Sequence, residues 1–118
     1  MSVVYDKSYK FAIRVVNLCK YLSREHNEYV LSKQILRSGT SIGALVSEGE
    51  FAQSKADFIN KLSIALKEAN ETKYWINLLY DTDYITKQMY EDIQKDILEI
   101  ISLLVKIIKT SKKGKSKS

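Results

Sequence analysis

The chain has 118 residues, 45% of them hydrophobic, with no proline, four glycines and one cysteine. That length fits one domain, the apolar content suffices for a core, and a lone Cys19 excludes an internal disulfide and a zinc site built on paired thiolates. The formal net charge is +5, but five of the 19 basic residues (Lys109, Lys112, Lys113, Lys115 and Lys117) fall in the last ten positions; the other 14 match the 14 acids, so residues 1–108 are neutral by count.

Proline lacks a backbone N–H and clashes with the preceding helical turn, so its absence favours long helices over a turn-rich β architecture. No apolar leader occupies residues 1–10. No stretch reaches the roughly 18 apolar residues that span a bilayer, so a cytoplasmic protein with no membrane partner is expected.

Four helices are predicted. The first covers about 6–26, where Phe11, Val15, Leu18 and Leu22 recur at helical spacing and Ala12, Val16 and Cys19 widen the stripe. Asn27 and Glu28 mark its end. The second follows Ser32, read as its N-cap, runs through Ile35, Leu36, Ile42, Leu45 and Val46, and stops at Gly49, read as a C-cap. Its run Ser38-Gly39-Thr40-Ser41-Ile42-Gly43-Ala44 is rich in small residues. Close approach of a neighbouring helix explains them. A phosphate-binding glycine loop does not, since no lysine follows at the required spacing and no strand precedes.

The third helix opens on Ser54 and Asp57, spaced as a capping box, and carries Phe58, Leu62, Ala65, Ala69, Ile76 and Leu79 on one face to about residue 80. The fourth spans about 86–109. Between Ile97 and Ile108 its only polar residues are Glu99, Ser102 and Lys106. The apolar residues spread over an arc of roughly 220°, about twice the stripe a surface helix needs. One part of that arc fills a core. The rest predicts an oligomer interface, with Leu98, Leu103 and Val105 as candidates and Trp75 and Leu78 of the third helix beside them. Residues 110–118 are lysine, serine, threonine and one glycine, and a disordered basic tail is expected there. Residues 1–109 then form one all-α domain, an antiparallel up-down-up-down four-helix bundle.

The blocks Leu36-Arg37-Ser38-Gly39-Thr40-Ser41-Ile42-Gly43-Ala44, Ser47-Glu48-Gly49, Ser54-Lys55-Ala56-Asp57-Phe58 and Ala65-Leu66-Lys67-Glu68-Ala69-Asn70-Glu71-Thr72-Lys73-Tyr74-Trp75 resemble the bacterial four-helix-bundle family known as rRNA intervening-sequence proteins. The resemblance covers about residues 5–108. Leu45 departs from it, standing where many members carry Asn. The resemblance implies a left-twisted bundle assembled as a ring, typically a homopentamer. It also implies a fold similar to the accessory proteins of diversity-generating retroelements, no established enzymatic activity, and association with nucleic acid as the usual suggestion.

No catalytic or metal-binding group is expected, and no cofactor. His26 lies two turns, about 10 Å, from Cys19 along one helix, too far for a nucleophile and its base. It suits a helix C-terminus as a charge complement. Glu48, Glu68 and Glu71 lack the Glu-x-x-His pairs of di-iron bundles and are expected to pair with Arg37, Lys61, Lys67 or Lys73. Tyr74, Tyr80, Tyr84 and Tyr90 cluster around the third connection, where packing accounts for them. The tail lysines Lys109, Lys112, Lys113, Lys115 and Lys117 are the candidates for phosphate contact with RNA or DNA. The alternative is an adaptor that binds a protein partner through its helical surface.

Overall fold

The computed structural model describes residues 2–116, with side chains through Gly114, and the regular structure of these residues is four α-helices. Each helix starts where an oxygen satisfies the orphan N–H groups of a first turn. Helix α1 (Val3–His26) is capped by Ser2, whose hydroxyl accepts from the Tyr5 N–H at 3.1 Å. It ends on Asn27, held in the left-handed region at φ 50°, a conformation that asparagine tolerates better than most residues.

Helix α2 (Val30–Glu50) corrects two expectations. Ser32 is not its cap. The cap is the carboxylate of Glu28, which accepts from the N–H groups of Val30 and Leu31 at 3.1 Å and of Ser32 at 2.9 Å. The Ser32 hydroxyl instead donates back to the Glu28 carbonyl at 3.1 Å. Gly49 does not end the helix either. It lies inside the last turn, and a Cβ placed there would come within 3.1 Å of Leu62 Cδ2. This glycine serves helix packing rather than a left-handed turn.

Helix α3 (Lys55–Asp81) begins as expected, with the Ser54 hydroxyl accepting from the Asp57 N–H at 3.1 Å. The return bond reaches one residue further than in a standard box: Asp57 accepts from the Gln53 N–H at 3.4 Å. Thr86 caps α4 (Lys87–Ser116) by accepting from the Met89 N–H at 3.2 Å. Here the structure departs from the expected tail, since the helix continues through Thr110 to Ser116. Adding a residue to a formed helix needs no new nucleus, and lysine is a good helix former. Lack of core contact therefore does not require the backbone to unravel.

The helices meet around a square. Helix α1 lies against α2 and α4, α3 lies against the same two, and among the described residues the backbones of the diagonal pairs do not approach closely. Register follows from side chains that face each other. Ser38 of α2 receives a hydrogen bond from Thr72 of α3, while Glu48 further along α2 pairs with Lys61 earlier on α3. Tyr80 stacks on Tyr90, while the start of α3 at Lys55 lies against Gly114. The core holds the expected Phe11, Val15, Leu18 and Leu22 of α1, Ile35, Ile42 and Val46 of α2, Leu62, Ala65, Ala69, Ile76 and Leu79 of α3, and Ile97, Ile100, Leu104 and Ile108 of α4, and adds Val4, Ile85 and Ile93, while Val16 and Leu36, expected on the apolar stripes, are exposed. The result is a rod of 53 × 21 × 21 Å.

Candidate nucleic-acid interface

The helical continuation of α4 changes what the C-terminal lysines are. Lys109, Lys112 and Lys113 sit on its final turns, all exposed. Lys106 joins them. It is exposed and, with Lys109 and Lys113 at i+3 and i+7, shares one side of the helix. These four lysines, with Ser102, Val105 and Thr110, border an open depression along α4. Lys115 continues the helical backbone, and Lys117 lies outside the described residues. Lys106 is legible in the sequence by its spacing, although there it marks only the polar edge of α4. Charge held on a rigid helix is pre-organised to meet phosphates, whereas a disordered tail must first be ordered.

The candidate interface residues behave differently from one another. Leu98 is exposed at 44%. Leu103 and Trp75 are half-buried and pack against the core, and Val105 and Leu78 are half-buried as well. Because α4 has α1 on one side and α3 on the other, most of its wide apolar arc is covered within one chain. A more open apolar surface lies on α1, where Tyr9, Ile13 and Val16 follow one another at spacings of four and three and are exposed at 57%, 48% and 37%. Tyr9 and Ala12 border a shallow groove whose other wall is Thr40, Gly43 and Ala44 of α2.

The reactive side chains are occupied elsewhere. The Cys19 thiol donates to the Ser32 carbonyl at 3.4 Å, and burial, with a smaller contribution from Glu28, pushes its pKa up to about 11. A thiol held protonated is a poor nucleophile. The His26 ring lies edge-on to Tyr21 and Tyr84, with centroids 5.6 and 5.4 Å away. Arg37 spans Glu68, at 3.1 Å, and Glu71, while Trp75 Nε1 donates to Glu71 at 3.1 Å. Glu48 pairs with Lys61 at 3.3 Å. Of the tyrosines, Tyr80 and Tyr90 stack with centroids 4.3 Å apart, and the Tyr90 hydroxyl donates to Asn77 at 2.8 Å. Packing accounts for both. Among the described residues no helix is long and apolar enough to cross a membrane.

The sequence model of the 23S rRNA-intervening sequence protein family matches residues 2–106. The chain belongs to that family. A crystal structure of a protein of unknown function from the S23 ribosomal protein family of Bacteroides thetaiotaomicron is 64% identical. It aligns over 91% of this chain and 99% of that one with a TM-score of 0.90. No curated protein matches the chain. The family match ends at Lys106, so three of the four lysines on the α4 side lie beyond it.

Proposed function

We propose that the protein is a non-enzymatic, cytoplasmic helical-bundle protein that holds RNA or DNA by charge, through the lysine-bearing end of α4. The observation that carries this reading is the separation of charge from core. Residues 1–108 are neutral by formal count, and Lys106, Lys109, Lys112 and Lys113 are exposed together on one helix end. Such a surface displaces counterions from a phosphate backbone and reads no bases. The names of the matching family and of the S23 ribosomal relative, both tied to ribosomal RNA or the ribosome, fit the same reading.

The bundle is proposed to be left-twisted with up-down-up-down topology and to assemble as a ring, with five copies as the expected number. Two separate apolar faces support a head-to-tail contact: Tyr9, Ile13 and Val16 on α1, and the region of Leu98 on α4. A contact between unlike faces propagates around a rotation axis and closes when the rotation permits. Cyclic symmetry then gathers every α4 end on one side, so that weak sites act together. Light scattering tests the ring by a mass five times the 13.6 kDa protomer.

The functional test is fluorescence anisotropy with a labelled mixed-sequence RNA at low salt. Deleting residues 110–118 removes Lys112, Lys113, Lys115 and Lys117. Affinity is expected to fall at least about tenfold while circular dichroism still reports a helical protein. Equal binding by the truncated chain moves the site to other basic residues such as Arg14, Lys20 and Arg24. Failure of the full chain to bind any nucleic acid leaves the adaptor reading.

A further inference from the structure

We infer that the end of the bundle where the α2–α3 turn meets the last turns of α4 is a site for single-stranded nucleic acid, with an unpaired base stacked on Phe51. The inference rests on the charge-based reading above and adds a strand preference that charge alone does not supply.

Phe51 is exposed at 80%, more than any other large apolar side chain among the described residues. Leaving this ring in water forgoes the stabilisation that burying a phenylalanine gives. The turn that presents it is fixed. The Phe51 N–H donates to the Glu48 carbonyl at 3.2 Å and the Ala52 N–H to that of Gly49 at 3.1 Å. Gly49 is itself buried against Leu62, and Ser54, three residues after Phe51, caps α3. The ring therefore stands on a rigid base rather than on a loose loop.

The surroundings select the partner. Lys55, four residues after Phe51, places its Nζ 3.1 Å from where a side chain on Gly114 would begin, so the end of α4 lies over the start of α3. Lys109, Lys112 and Lys113 are exposed on those same turns. Of the acids nearby in sequence, Glu48 is paired with Lys61, while Glu50 and Asp57 keep their charge and accept from the Ser2 hydroxyl at 3.0 Å and the Gln53 N–H at 3.4 Å. An exposed aromatic ring four residues before Lys55, whose ammonium lies against the end of the lysine-bearing helix, suits the pattern by which proteins hold single strands, with bases stacked on rings and phosphates on cations. A duplex keeps its bases stacked on one another and offers the ring nothing but sugar and phosphate.

The test measures anisotropy of a labelled twelve-residue oligouridine and of a duplex RNA of equal length, each across a salt series, with the full chain, Phe51→Ala and Phe51→Trp. Vesicles of anionic lipid are included as a third probe. Phe51→Ala is expected to weaken oligouridine binding about 5- to 100-fold, leave its salt slope and the duplex affinity unchanged, and be rescued by Phe51→Trp. Circular dichroism of both variants should match the parent, since the ring makes no core contact. Oligouridine binding unchanged in Phe51→Ala overturns the inference alone and leaves the charge-based reading standing. Loss of vesicle binding in place of strand binding overturns it in favour of a membrane surface. If the full chain binds neither RNA at low salt, both readings fall.

Discussion

Helix α1 is held against α2 and against α4 in opposite ways. Toward α2 the partners are small. A Cβ on Gly39 would stand 2.8 Å from Val15 Cγ2, and one on Gly43 would stand 3.5 Å from the backbone and Cβ of Ser8. Toward α4 the partners are long and charged. Lys7 pairs with Glu99 at 2.8 Å and Arg14 pairs with Asp96, and a groove of 330 Å³ opens beside them between Leu18, Tyr21, Ile85, Met89 and Ile93. The first seam is closed by backbones in near contact. The second is bridged by side chains that stay partly in water. Specific shape belongs to one seam and adaptable surface to the other, so the two should respond to mutation very differently.

The largest effect is expected from Gly39→Leu. Val15 is fully buried and has nowhere to retreat, so the variant should lose about 3 kcal/mol or more in chemical denaturation, or fail to fold. A loss below about 1 kcal/mol would mean that the α1–α2 seam gives way easily and the contrast is wrong. The same seam should protect Cys19 from reagents. With its pKa raised to about 11, only about a thousandth of the thiol is thiolate at pH 8, against roughly a quarter for a free cysteine. Alkylation in native buffer should be at least about a hundredfold slower than in denaturant. It should accelerate about tenfold per pH unit up to about 10, because the reactive form grows as protons leave.

Smaller substitutions sharpen the picture. Gly43→Ala meets its neighbours at ordinary contact distance, so the helix propensity of alanine should dominate and stabilise the protein by up to about 1 kcal/mol. That outcome would place the tight point at Gly39 rather than along the whole glycine run. Arg14→Ala on the other seam should cost no more than about 1 kcal/mol in the same denaturation assay, because exposed ion pairs contribute little. A loss of several kcal/mol there would make the α1–α4 bridge as important as the glycine seam.

The core was legible in the sequence because periodicity alone selects it: Phe11, Val15 and Leu22, or Leu62, Ala65 and Ala69, repeat at the pitch of a helix and are all buried. The Ser54 cap was legible for the same kind of reason, a local motif read over three residues. What escaped were features with two physical explanations. Gly49 fits a C-cap by composition and a packing contact by geometry, and only its neighbour Leu62 distinguishes them. Ser32 looked like the cap of α2, while the longer Glu28 reached forward to three N–H groups from four residues earlier. A single-neighbour stripe underestimates how much of α4 is covered, because a helix at a corner of a square has two neighbours, and Leu103 and Val105 are half-buried. Lys112, Lys113 and Lys115 have no apolar period to follow, so periodicity does not reveal their helical state.

The central claim, that charge on the end of α4 holds nucleic acid, is tested most directly by salt dependence. Lys106, Lys109 and Lys112 are exposed, so replacing all three by Gln should leave the fold unchanged. Affinity for a labelled single-stranded RNA is then measured for parent and variant across a salt series. Each phosphate neutralised on a single strand contributes about −0.7 to the slope of log affinity against log salt. The account predicts a slope shallower by about two units in the variant, with weaker binding at every salt concentration. An unchanged slope and affinity would contradict it, and would show that whatever nucleic acid the protein holds is held somewhere other than the end of α4.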